Sequence, residues 1–363
     1  MIIDDAYYLE KLKKKKIFPL HIHWDGSIPA EDIFEMARQR GIPLLLPERD
    51  IEGKPIRYSS HDQRVIKSPE QLRLFMTDLR KYDLVDVFKT TNQFMQTKED
   101  LIATAIAHCN YLKSQNAPYA ETRFAPQYHT FGGLSVDEVI RYAVEGFQKG
   151  KKLTGVDVRL IISIGREADA ATGIRIADAA VAANKLYPDM VLGIDLACEE
   201  RGNPPEKHLP AFRLTFDTPL KRTVHAGEMC DEQTNLHNVR TAIQELRADA
   251  IGHAIQLYKD AGLINFVKSR KIRIESNPLS NKLFFIDNIE QLHLNVLVNQ
   301  GVLVTINPDD PAMIPEGDLV HNLYHLGKLY GDGFVDKVIR NSIEAAWGLT
   351  RQQKDKYLTE NRL

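Results

Sequence analysis

The chain has 363 residues, a formal net charge of −2, 43% apolar and 26% charged residues. That balance fits an ordinary globular protein with a sizeable core, and it gives no global electrostatic case for binding nucleic acid. The three cysteines, Cys109, Cys198 and Cys230, are far apart and form no C-x-x-C pair. Their spacing argues against a disulfide framework or a thiolate zinc knuckle, and for a reducing, cytoplasmic compartment.

The basic run Lys11–Lys16 is followed by only four apolar-side residues, Ile17 to Leu20, before His21. That is too short for a signal-peptide core or a membrane span, so the run reads as a solvated helix end. The apolar stretch then reads as a strand running into His21-Ile22-His23-Trp24-Asp25-Gly26-Ser27. Strand side chains alternate, so His21 and His23 share a face and make half of a metal site. A bare H-x-H also occurs as two surface histidines, so the rest of the chain must supply the remaining ligands. Ala30–Arg40 reads as a helix, and Glu48–Glu70, with His61 as an exposed loop histidine, as a polar loop. Leu72, Phe75, Met76, Leu79 and Tyr82 recur at helical spacing, and a further helix is expected over Asp100–Leu112. Such a long excursion fits a lid or a packing layer.

From Tyr119 the pattern becomes regular. Strands are expected at Tyr119–Phe124, Val156–Ile164, Val191–Ala197, Arg222–Ala226, Ala250–Ala254, Ile272–Ser276 and Val302–Asn307. Helices are expected between them at Val136–Leu153, Ile174–Leu186, Ala211–Thr215, Leu236–Leu246, Leu263–Ser269 and Ile289–Asn299. Leu319–Leu329, Val335–Leu349 and Gln352–Leu358 follow as helices. Eight strands alternating with helices point to an α/β (β/α)₈ barrel, with extra helices after the first strand and at the C-terminus. No linker or composition break divides the chain, so one domain is expected across 1–363.

Active sites of such barrels lie at the C-terminal ends of the strands, and the chemically useful residues fall there. His21, His23 and Asp25 end the first strand, His225 and Glu228 the fifth, His253 the sixth, and Asp309 and Asp310 the eighth. His21, His23, His225 and Asp309 form a donor set suited to zinc, with room for a water. Glu228, three residues past His225, is the natural proton shuttle, and His253 and Asp310 are placed to orient water and substrate. The other histidines, including His108, His129 and His293, lie in or beside helical patterns and read as structural or solvated.

The strings HIHWDGS, YAETRFAP, GIDLACEE, TVHAGE, IGHAI, SNPLSN and INPDDP occur in an order that resembles the adenosine deaminase family, from His21 to about Leu349. The resemblance implies a zinc-containing (β/α)₈ barrel, with one ion per chain, that hydrolyses the 6-amino group of adenosine or 2′-deoxyadenosine. It implies His21, His23, His225 and Asp309 as metal ligands, Glu228 as the acid for purine N1 and His253 as the residue orienting the attacking water. Asp310 matches the contact to N7 and Asp25 the contact to the 5′-hydroxyl, while Leu72–Leu79 resembles the apolar cover over the sugar. Three positions depart from the family pattern: Cys198 and Ala254 stand for Gly, and Pro308 for Thr. Cys198 falls where a backbone N–H contacts purine N3, so it also counts as a substrate-binding position. The expected partner is a small purine nucleoside, with no nucleic acid or membrane, and self-association as a homodimer is left open. The same chemistry on adenine, a 5′-modified adenosine or an N6-alkylated nucleotide is the alternative, followed by a barrel with only a binding role.

Overall fold

Eight parallel strands in the order β1 to β8 make the sheet, and their ends carry the residues singled out above. The computed structural model describes residues 5–363 apart from the side chain of His61, so the expectation for that histidine lies outside the described residues. The strands are β1 (Ile22–His23), β2 (Tyr119–Phe124), β3 (Asp157–Gly165), β4 (Val191–Ala197), β5 (Lys221–Ala226), β6 (Ala250–His253), β7 (Arg273–Ser276) and β8 (Leu303–Ile306). A parallel bridge between Ile22 and Asp309 joins the chain after β8 back to β1 and closes the ring. The expected barrel is therefore present.

Helices cover the ring from outside. In chain order they are α1 (Asp5–Lys13), α2 (Ala30–Arg40), α3 (Pro69–Thr77), α4 (Leu84–Asn92), α5 (Lys98–Ser114), α6 (Val136–Thr154), α7 (Ala170–Leu186), α8 (Leu209–Arg213), α9 (Glu232–Gln244), α10 (Ala261–Ser269), α11 (Pro278–Phe284), α12 (Leu294–Asn299), α13 (Leu319–Tyr330), α14 (Asp332–Ala345) and α15 (Arg351–Glu360). The α6 segment shows why such stretches fold this way. A capping box of Ser135 and Glu138 starts it, Val139, Ile140, Ala143, Val144 and Phe147 form its buried stripe, and Gly155 ends it at φ 81°. No helix among the described residues is long and apolar enough to cross a membrane.

Three expectations need correction. The run from Ile17 to Leu20 is not strand, and β1 is only two residues long. Pro19 has no N–H, and the N–H groups of Leu20 and His21 donate instead to Asn307 Oδ1, at 2.8 and 3.1 Å. The helix expected over Ile289–Asn299 is two pieces, because His293 takes a left-handed backbone at φ 49° between them. The helical pattern from Leu72 to Tyr82 stops at Thr77, and a separate α4 follows, with the Asp83 side chain accepting from Val85 N–H.

The inside of the ring is polar. Register pairs His23 with Arg123, Ser163 with Asp195, His225 with Gly252, and Gly252 with Glu275, so these residues share the inner face. Contacts between strands that are not neighbours span the lumen. Arg123 donates to Glu275 at 2.8 Å and lies 3.6 Å from Asp195, and Thr223 Oγ1 donates to Glu275 at 3.2 Å.

Candidate metal and catalytic site

The four expected ligands meet at the C-terminal mouth of the ring. Donor atoms of His21, His23, His225 and Asp309 all lie within 4.8 Å of one another. His23 Nε2 and His225 Nε2 are 3.2 Å apart, and Asp309 Oδ1 lies 3.0 Å from His21 Nε2 and 3.4 Å from His23 Nε2. Barrel closure produces part of this geometry, since Asp309 N–H donates to His21 O and His23 N–H to Asp309 O across the β8–β1 seam.

Carboxylates behind the rings fix how they point. His21 Nδ1 is 3.0 Å from Glu275 and His225 Nδ1 is 3.1 Å from Asp195. With Nδ1–H directed at a carboxylate, the lone pair on each Nε2 faces the centre of the cluster. His21 Nε2 is buried and makes no well-directed hydrogen bond. Together the four donors form a group that could hold a metal ion.

The charges agree. Burial opposes ionisation of Asp309, but the imidazoles of His21 and His23 beside it outweigh that and hold the carboxyl well below its usual range. Burial pushes His225 down to about 4 against the pull of Asp195. For His23, burial is outweighed by the Asp310 and Asp309 charges, which push it up to about 9, so a cation bound here displaces a proton.

A second group shares Asp309. His253 Nε2 is 3.3 Å from Glu228 and 4.0 Å from Asp309 Oδ2. Strict alternation after Gly252 would turn His253 out of the ring, but its backbone is left-handed at φ 69°, and its ring sits 5.3 Å from those of both His21 and His225. Asn281 Nδ2 lies 2.9 Å from His253 Nδ1, with Asn277 also in reach. Burial keeps His253 neutral, well below its usual pKa. Burial, then Asp309 and Glu200, push the Glu228 carboxyl well above its usual range. Asp310 is raised too, by burial and by the Asp309 and Asp25 charges, against His23. Its Oδ1 is buried without a partner, and it lies where any Cβ on Gly26 would collide with it. Asp25 is buried nearby, 6% exposed.

The departures from the expected pattern also have a physical shape. Cys198 and Ala254 have φ of 76° and 50°, a backbone region that Gly enters without strain. Cys198 is half-buried, and its Sγ lies 3.7 Å from the Tyr128 hydroxyl, which also donates to Glu167 at 3.2 Å. Pro308 costs no ladder bond, because Asn307 N–H bonds Ser276 O and Asp309 N–H bonds His21 O on either side.

Sequence reasoning missed the residues that support the site: Asp195, Glu200, Glu275 and Arg123. Each is a charge inside or beside an otherwise buried strand pattern, where a parallel barrel normally places apolar residues, and that mismatch was the available signal.

Residues 17–360 match the family model described as adenosine deaminase. An adenosine deaminase from Clostridium kluyveri is 30% identical over 332 residues, covering 90% of this chain and 88% of the relative. Among solved structures, the adenine deaminase from Arthrobacter aurescens is similar with a TM-score of 0.78 at 22% identity, covering 96% of this chain and 98% of the other. An amidohydrolase from Burkholderia ambifaria with bound Zn has the same TM-score of 0.78 at 19% identity, covering 100% and 93%. These two structural likenesses speak for the shared barrel.

Proposed function

The chain belongs to the adenosine deaminase family of aminohydrolases, and from that premise we propose that it converts adenosine, or 2′-deoxyadenosine, and water to inosine and ammonia. The observation that carries the reading is the meeting of a four-ligand cluster with two neighbouring carboxyls, Glu228 buried and Asp310 partly so, both raised above the usual carboxylate range. Three imidazoles and a carboxylate suit one zinc ion, held by His21, His23, His225 and Asp309, and the zinc-bound Burkholderia relative supports that choice. An ion held by these four residues would supply the Lewis acidity that makes water nucleophilic at neutral pH.

The chain's own residues do the rest. Purine N1 and N7 are acceptors, so a carboxyl that is to contact them must carry a proton. The raised pKa of Glu228 and of Asp310 supports that state for both. Glu228 protonates N1 as oxygen joins C6, which offsets the charge that develops when the ring loses its aromaticity. Neutral His253, held by Asn281 and facing Glu228 and Asp309, orients the attacking water. Asp310 donates to N7, and Asp25 takes the 5′-hydroxyl. The proton released by the attacking water restores Glu228, the remaining hydroxyl proton passes to the amino group as C6=O forms, and the C6–N bond breaks so that ammonia leaves. Cys198 keeps its backbone N–H for the N3 edge, while its side chain narrows the wall toward Tyr128.

The test is ammonia release from a panel: adenosine, 2′-deoxyadenosine, free adenine, a 5′-modified adenosine and an N6-alkylated nucleotide. The two unmodified nucleosides should give the highest kcat/KM. A clear preference for the base or the nucleotide would move the assignment to another 6-aminopurine.

A further inference from the structure

The loop that follows β5 carries Glu228 only three residues after the ligand His225, and an otherwise unassigned buried carboxylate grips its backbone. Glu200, 2% exposed, accepts from Gly227 N–H through Oε1 at 2.9 Å, and through Oε2 from Glu228 N–H at 2.9 Å and Met229 N–H at 3.0 Å. Asn238 of α9 adds a fourth bond to Oε1 at 2.8 Å. In return, Glu200 N–H points at Met229 Sδ at 3.5 Å. Three successive N–H groups converging on one anion make a concave backbone nest, and here the occupant is the protein's own side chain. The turn needs Gly227, at φ 74°, because a Cβ there would press on Val239. The next donor, Cys230 N–H, is taken by Asn235 at 3.0 Å. Glu199, one residue earlier, instead pairs with Arg201 near the surface, so the grip belongs to Glu200 alone of the two.

We propose that Glu200 is a positioning residue that holds the Gly227–Met229 backbone in the one conformation from which the Glu228 carboxyl reaches the reacting ring. Charge-assisted bonds to buried N–H groups are among the strong ones, and Glu200 uses both oxygens for them. Without it, three donors in a buried loop lose their acceptor, and the loop must relax to find others. A shift of about 1 Å in a reacting group costs on the order of 10²-fold in rate. The kinetic side of this proposal rests on the deaminase reading; the structural side does not.

Glu200→Gln is the first variant, since it keeps the shape but turns an N–H₂ group toward donors. It should lower kcat by ~10²-fold while KM and zinc content stay near those of the unmodified protein. Amide hydrogen exchange at 227–229 should quicken. Because Glu200 acts through Glu228, Glu200→Gln should cause no further loss in a Glu228→Gln background. Glu200→Asp keeps the charge one methylene short and should fall between, which preserves the test if the amide variant folds poorly. Unchanged exchange at 227–229 would overturn the proposal, as would a rate loss that multiplies with that of Glu228→Gln. Should the protein deaminate no aminopurine at all, the exchange measurement still decides the role of Glu200.

Discussion

Little water and several negative neighbours raise the Glu228 and Asp310 carboxyls above their usual range, which favours the protonated form of each. Glu228→Gln should therefore leave zinc binding nearly intact while kcat drops by at least ~10²-fold, the usual scale of general acid help. His225→Ala should lose the metal as well, and metal analysis beside steady-state kinetics separates the two. Near-normal turnover in Glu228→Gln would pass the proton role to another group, with His253 next in line. Cys198 is the residue where local strain and specificity meet. Its left-handed backbone costs a non-glycine residue about 1–2 kcal/mol, and its sulfur faces Tyr128. Cys198→Gly should raise unfolding stability by ~1 kcal/mol in a denaturant titration. It should also change the ratio of kcat/KM between adenosine and 2′-deoxyadenosine. A less stable variant with an unchanged ratio would mean that the thiol serves packing and not the pocket.

At the level of elements, β2 to β8 were legible because each is a short strand-like stretch alternating with a helical pattern. The ligand residues were legible because they stand at the ends of such stretches. What the pattern hid depends on contacts distant in the chain. β1 is short because the side chain of Asn307, 286 positions beyond His21, takes its N–H bonds. α4 went unseen because Val85, Val87 and Thr90–Thr91 give it a strand-like composition, and only the Asp83 cap marks its start. The buried charges of β2, β4 and β7 had no visible partners until the ring closed. Arg123 bridges Asp195 and Glu275, which in turn orient His225 and His21. Burial resists the charge on Glu275, but Arg123 and Arg273 hold the carboxyl well below its usual range. The strands thus carry a network whose purpose is the direction of two imidazoles. Asp195→Asn should keep the fold while weakening zinc affinity by about 10–100-fold, read by competition with a chromophoric chelator. Undiminished affinity would show that packing alone sets the His225 ring.

For the whole molecule, the closure of the ring and the assembly of the site are one event. The backbone bonds that join the end of β8 to β1 also bring Asp309 against His21 and His23, while β5 and β6 deliver His225 and His253 from the far side. The central claim is that this junction is a metal-dependent deamination site, and a zinc titration of metal-stripped protein tests it most directly, with ammonia release from adenosine as the readout. Activity should be absent at first, rise in proportion to added zinc, and level off near about one equivalent per chain. Full activity without metal, or a zinc-loaded protein that releases no ammonia, would contradict it.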